Sequence, residues 1–295
     1  MKRIIVTLLI GALAFLTVGC GTGGNNSSLE ISGDVDFGKD DYTKIISGNN
    51  GLGFSVLKEA EADSDGNIFI SPTSLFLALA MTYNGADDLT EEEMSAVLGV
   101  AGMEQDELNK ASASLMSMLH SHAKDVELNI ANSIWLNQEH HFQDGFSKNV
   151  QDYYNAKIEE INVSDNESVV RINNWVKDAT KGKIEEIVQA PLNPDLVSIL
   201  INAIYFKGDW LYQFNKKQTE ERTFYSGDGT EKKVPLMRLF KELSYLENDD
   251  FQAVSLPYKG GKMSMKVFLP KNDTTLDELQ DMLTNENWES WLQLF

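Results

Sequence analysis

The sequence predicts an α+β domain. Apolar residues recur at helical spacing through the first half of the chain, from about residue 50 to residue 122. The period then switches to two over 126–137, as in a strand with one face buried. Strand-and-turn segments cluster after residue 196 instead of alternating with helices, which excludes a repeated βα architecture.

Composition bounds the function. The chain has 295 residues, enough to bury a sizeable core, and its 42% hydrophobic and 24% charged residues are ordinary globular proportions. With 25 Lys and Arg against 45 Asp and Glu, the formal charge is −20. No nucleic-acid partner is expected, because affinity for a phosphate backbone rests on Lys and Arg releasing counterions. A single cysteine excludes an intrachain disulfide and a Cys-rich zinc site.

That cysteine belongs to the N-terminus. Lys2 and Arg3 precede an apolar run from Ile4 to Val18, too short for a comfortable membrane span, and Thr17-Val18-Gly19-Cys20 follows. The pattern looks like the lipobox of a prokaryotic lipoprotein: residues 1–19 form the signal peptide and Cys20 takes the lipid. A plain secretory signal with an incidental Cys20 is the alternative. Either way the chain is expected outside the cytoplasm, and in the first case held to the cytoplasmic membrane by lipid. Residues 20–48 read as a flexible acidic tether, from Gly-Thr-Gly-Gly-Asn-Asn-Ser-Ser through Asp34, Asp36, Asp40 and Asp41. From 49 to 295 no second linker and no internal repeat interrupts the pattern.

Phe54, Leu57 and Ala60 give 50–62 a helical face. Ile68-Phe69-Ile70 reads as a short strand, and Ser71-Pro72 opens a helix whose face is Leu75, Leu79 and Tyr83, ending at Gly85. Thr90-Glu91-Glu92-Glu93 has the spacing of a capping box. A polar amphipathic helix over 105–122 leads to the strand 126–137, in which Val126, Leu128, Ile130, Ile134 and Leu136 alternate. Ile172, Trp175, Val176 and Ala179 mark another helical face, stopped by Gly182. Leu196 to Phe206 is nearly all apolar, as in a strand covered on both sides. A turn at Ser226-Gly227-Asp228-Gly229 and strands at Phe251–Pro257 and Met263–Pro270 complete the late segment.

No catalytic constellation emerges. His120 and His122 lie two apart in a helix and point to different faces, His140 and His141 sit in a turn, and all four read as solvated surface, so no metal site is expected. Neither Gly-x-Ser-x-Gly nor Ser-x-x-Lys occurs, which leaves a nucleophilic hydrolase nothing to start from. Gly48-Asn49-Asn50-Gly51-Leu52-Gly53 is glycine-rich, but no strand precedes it and no Gly-Lys-Ser/Thr follows. Glu159-Glu160 and Glu185-Glu186 read as solvated faces. The chain is expected not to be an enzyme and to need no cofactor.

A few polar residues do not fit a bland core. Asn202 interrupts Ile199-Leu200-Ile201-Asn202-Ala203-Ile204, and an amide buried without partners costs a few kcal/mol, so a specific partner is expected. Ser71 and Ser74 flank Pro72 at the mouth of a buried helix and could supply hydroxyls; N-capping alone is the other reading.

The same residues carry a resemblance. Asn67-Ile68-Phe69-Ile70-Ser71-Pro72-Thr73-Ser74, with Ala78-Leu79-Ala80-Met81 and Gly85-Ala86, resembles a helix signature of the serpins. Asn173-Asn174-Trp175-Val176, Thr180-Lys181-Gly182-Lys183-Ile184, Asn202 to Trp210, Val234-Pro235-Leu236-Met237 and Leu256-Pro257-Tyr258-Lys259-Gly260 follow in that family's order. The resemblance implies helices packed around a large central mixed sheet with two smaller sheets. Residues 126–137 and 196–206 would be central strands, with 168–180 the helix across their front. Ser71, Ser74 and Asn202 would form the shutter, a polar cluster beneath the point where two central strands part, and Trp210 the breach, where an inserting loop first enters. It implies an inhibitor of a serine or cysteine protease, expected as a monomer, whose reactive loop is cleaved and inserts as an added strand.

In the family the domain runs on for roughly 100 residues more. The hinge, the reactive bond and the last core strands would lie there, and the sequence contains no match to them. Trp288, Trp291, Leu292 and Phe295 stack on one helical face with no partner in view, and a C-terminally truncated serpin is the expectation. A non-inhibitory binding module built on the same body, or a non-functional truncated relic of one at the cell surface, is the alternative. A lipid-anchored solute-binding protein would fit the lipobox and the acidity, but lacks the two-lobe βα repetition.

Overall fold

The computed structural model describes residues 31–295 apart from 64, 65, 227, 228 and 272. Cys20, the signal peptide and the first part of the tether lie outside the described residues, as does the centre of the turn at 226–229. The first half is helical: α1 (Ile46–Glu59), α2 (Pro72–Tyr83), α3 (Asp88–Val97) and α4 (Gln105–His122). Strand β1 (Val126–Asn137) follows, then α5 (Asp144–Tyr154), β2 (Ala156–Ile161), α6 (Asn166–Ala179) and β3 (Ser198–Gly208). The hairpin β4 (Glu220–Tyr225) and β5 (Glu231–Leu236) stands apart from β6 (Tyr245–Glu247), β7 (Phe251–Pro257) and β8 (Ser264–Pro270), and α7 (Leu276–Asp281) and α8 (Asn285–Leu292) close the chain.

The central sheet has the order β2-β1-β3, with β1 parallel to β2 and antiparallel to β3 from Val126↔Gly208 to Leu136↔Ser198. Alternation along β1 sorts its side chains between two cores. Ile130 and Ile134 pack with Phe76, Leu77, Leu108 and Met116 of the helical layer, whereas Trp135 packs with Ile172 and Val176 of α6 on the opposite face. Helix α6 is tied across this face by ion pairs from Arg171 to Glu159 of β2 and, just past its C-terminus, from Lys181 to Glu127 of β1. Glu159 is thus engaged, not a freely solvated acid.

Several expectations need correction. The tether does not extend to residue 48. Asp41–Lys44 form a 3-10 turn, Ile45 is fully buried, and Ser114 Oγ donates to the Lys39 carbonyl at 2.9 Å while accepting from the Tyr42 amide at 3.2 Å. Acidic composition masked Ile45, which is buried, and Tyr42, which packs partly buried against the helical core. The glycines of 48–53 serve close packing, since a Cβ on Gly48 would lie 2.2 Å from the Leu98 carbonyl oxygen and one on Gly53 2.6 Å from the Pro72 ring.

Ile68-Phe69-Ile70 joins no sheet among the described residues, and Phe69 is 97% exposed. Helix α2 buries Phe76, Leu77, Ala80, Met81 and Tyr83 and turns Leu75 outward. Helix α3 begins before Thr90; its cap is Asp87, whose carboxylate accepts from the Asp88 amide at 2.9 Å. β1 is more than half-buried, because both faces of its second half are covered. β3 is less buried than its composition suggests: only Ile201 and Ala203 are buried, because among the described residues no strand pairs with its outer edge. Two elements that the apolar pattern does not announce, α5 and β2, meet at Asn155, which takes a left-handed turn (φ 50°) open to Asn at little cost.

The terminal aromatics have partners after all. Trp291 packs on Phe251 (ring centroids 4.7 Å) and Phe268 (5.7 Å), Trp288 meets Phe54 of α1 at 6.0 Å, and Phe295 meets Phe268 at 6.3 Å. Leu292 remains 40% exposed. A third core, shared by β7, β8 and the two last helices, receives this face.

Candidate functional site: an amide pair between central strands

The register of the central sheet sets Asn132 of β1 directly opposite Asn202 of β3. Both occupy the parity that faces the helical layer, where their neighbours are Ile130, Ile134, Leu200 and Ile204. Cross-strand neighbours on one face lie close enough for side chains to bond. Asn202 Nδ2 donates to Asn132 Oδ1 at 2.7 Å, and Asn132 Nδ2 donates to the Tyr154 carbonyl at 2.7 Å, with Met116 Sδ 3.7 Å away. Ser74 Oγ, in the first turn of α2, donates to Asn202 Oδ1 and lies 3.5 Å from the Asn202 carbonyl.

The result is a polar bridge from the start of α2, through β3 and β1, to the end of α5. Asn132 is 3% exposed, so its amide has no recourse to water, whereas Asn202 and Ser74 are half-buried. Ser71 does not join the cluster. It is exposed, and as the residue before the helix, with an extended backbone (φ −125°, ψ 90°), its hydroxyl makes no capping bond either. β1 and β3 are paired from Val126↔Gly208 to Leu136↔Ser198, so the cluster sits under a continuous ladder. It ties the outer strand to the one inside it.

Sequence reasoning missed Asn132 and Tyr154. A signal for Asn132 was present: it falls on the apolar parity of β1, between Ile130 and Ile134, just as Asn202 interrupts β3. For Tyr154 the contribution is a backbone carbonyl, which leaves no mark in sequence.

Trp210 lies beyond the end of β3 and stacks on Tyr258 (4.7 Å, 10° between planes), with Phe214 edge-on at 6.1 Å. Phe206 meets the same Tyr258 at 4.9 Å. Backbone bonds from the Leu211 amide to Pro257 O (2.9 Å) and from the Lys259 amide to Asp209 O (2.8 Å) staple β3 to the end of β7. A Cβ on Gly208 would sit 2.5 Å from the Tyr258 ring, so this approach requires glycine. Burial pushes the Tyr258 phenol up from its ordinary value. His120, His122, His140 and His141 are exposed, and among the described residues no three His, Cys, Asp or Glu side chains converge as a metal site would require.

Comparison with known proteins places this geometry. A family model described as Serpin (serine protease inhibitor) matches residues 47–295. An uncharacterized serpin-like protein of Methanosarcina mazei is 32% identical over 298 residues, covering 96% of this chain and 68% of that protein. Iripin-8 of Ixodes ricinus is 34% identical over 262 residues, covering 86% of this chain and 64% of its own length. The native state of the thermophilic serpin tengpin superimposes with a TM-score of 0.77 at 32% identity, covering 85% of this chain and 63% of tengpin. Its latent state superimposes at 0.76, with 89% and 69% covered. The chain thus spans about two thirds of the proteins it resembles.

Proposed function

Because this chain belongs to the serpin family, we propose that it forms the body of a protease inhibitor that works by adding a strand to its central sheet. The observation that carries the reading is the Asn132–Asn202–Ser74 bridge, which ties the outer central strand to both the sheet and the helix beneath it. An inserting loop would pair along the outer edge of β3, and the bridge would set how readily β3 accepts it. Ser74 and Asn202, joined by Asn132, are the shutter in this reading, without Ser71; Trp210 on Tyr258 is the breach at the sheet's end. The target is a serine or cysteine protease, attacked through a reactive bond carried on residues beyond the matched two thirds of the relatives.

The test uses the endogenous protein, whose intact mass is measured first. Incubated with trypsin-, subtilisin- and papain-type proteases, it is expected to form an adduct that survives denaturing electrophoresis. Asn202→Ala should weaken the metastable form by about 1–3 kcal/mol and divert protein into inserted or polymeric forms. Cleavage as a plain substrate by every protease, with no adduct, would defeat the inhibitor reading in favour of a binding module. An Asn202→Ala protein with unchanged melting and monomer fraction would defeat the shutter assignment.

The same protein is proposed to be lipid-anchored through Cys20. Cys20→Ala is expected to move it from the membrane to the soluble fraction after cell breakage. A variant that stays membrane-bound would overturn the anchor.

A further inference from the structure

Two groups of buried amides join through one residue. The bridge under β1 and β3 ends on the carbonyl of Tyr154, and the phenol of the same residue begins a second group. Tyr154 Oη donates to Asn109 Oδ1 of α4 at 2.8 Å and lies 3.4 Å from Ser112 Oγ. Asn109 and Asn84 exchange a reciprocal pair of amide bonds at 2.8 and 2.9 Å, and Asn149 Nδ2 of α5 donates to Asn84 Oδ1 at 3.1 Å. Tyr154 and Asn109 are essentially inaccessible, while Asn84 and Asn149 are half-buried, so the chain of bonds runs from the sheet to the surface. Ser74 and Asn84 lie at opposite ends of α2, so one helix touches both groups of bonds.

The geometry makes Asn132 depend on Tyr154. Its carboxamide oxygen is taken by Asn202, its strongest donor bond goes to the Tyr154 carbonyl, and at 3% exposure no water competes. The phenol of the same residue bonds Asn109 at 2.8 Å, and burial pushes it well above its ordinary pKa, so it stays protonated as a donor. We propose that Tyr154 and Asn109 are positioning residues for the Asn132–Asn202 pair, so that the α4–α5 packing biases how firmly β3 is held to β1. This rests on the reading of the pair as the hold on β3. Anything that shifts α4 against α5 would therefore tighten or loosen the central sheet without touching it.

Amide hydrogen exchange on the full chain tests this. Tyr154→Phe is expected to speed exchange in the β1–β3 ladder near Asn132 and Asn202 about tenfold, while the β7–β8 ladder, packed in a separate core, stays as it was. Tyr153→Phe, which loses only an exposed bond to Asp106, should leave both ladders unchanged. Asn202→Ala should speed the same β1–β3 amides, and the double variant should accelerate them by less than the product of the two single effects. Equal acceleration of both sheets by Tyr154→Phe would reduce Tyr154 to a structural residue and overturn the proposal, as would multiplicative single effects. If Asn202→Ala speeds the ladder and Tyr154→Phe does not, the positioning role alone falls. If Asn202→Ala leaves it unmoved, the reading of the pair falls and takes the proposal with it.

Discussion

Asn132→Ala is expected to lower the stability of the domain by about 2–4 kcal/mol, more than most single polar substitutions. The amide it removes is 3% exposed and bonds at both ends, so truncation strands the Asn202 Nδ2 donor and the Tyr154 carbonyl. Each stranded group carries its own desolvation cost, which exceeds the net worth of the bond it lost. Asn202→Ala should cost less, because Asn202 is half-buried and water can reach part of what it leaves behind. Denaturant unfolding of the two variants beside the parent checks the order. A loss under about 0.5 kcal/mol for Asn132→Ala would mean that the bridge contributes nothing to holding β1 and β3.

Trp291→Ala is expected to cost about 3–5 kcal/mol, the range for removing a large aromatic from a packed core. Trp291 is 9% exposed and contacts both Phe251 and Phe268, so its removal leaves a cavity that the two phenylalanine rings cannot easily refill. Leu292→Ala, one residue on, should cost well under 1 kcal/mol, since that side chain is 40% exposed. Thermal melts of the pair separate the two pictures of the last helix. Similar small losses would mean that α8 is not seated on β7 and β8; a large loss for Trp291 alone supports the third core.

The candidate site was half legible. An Asn on the apolar parity of a strand announces a buried amide that needs a partner, and Asn202 carries that signal. Nothing in the sequence says that Asn132 stands opposite it, because register is a relation between strands some 70 residues apart. Ser71 and Ser74 look equivalent as hydroxyls flanking Pro72. They differ because Ser71 precedes the first helical turn and Ser74 lies within it, and only the docking of α2 against β3 turns one of them toward Asn202.

What the sequence determined by itself was the kind of each strongly periodic element and the family. The bounds of α4 and β1 coincide with the spans their periodicity marks, and β7 does likewise, since backbone hydrogen bonding and side-chain period are properties of a dozen neighbouring residues. Tertiary structure alone decided which faces are covered. It placed β3 at the outside of its sheet, buried Ile45 inside an acidic segment, left Phe69 in solvent and found a seat for Trp291. Burial is settled by surfaces that arrive from far along the chain, and apolar residues record only that a cover is wanted, not which segment provides it.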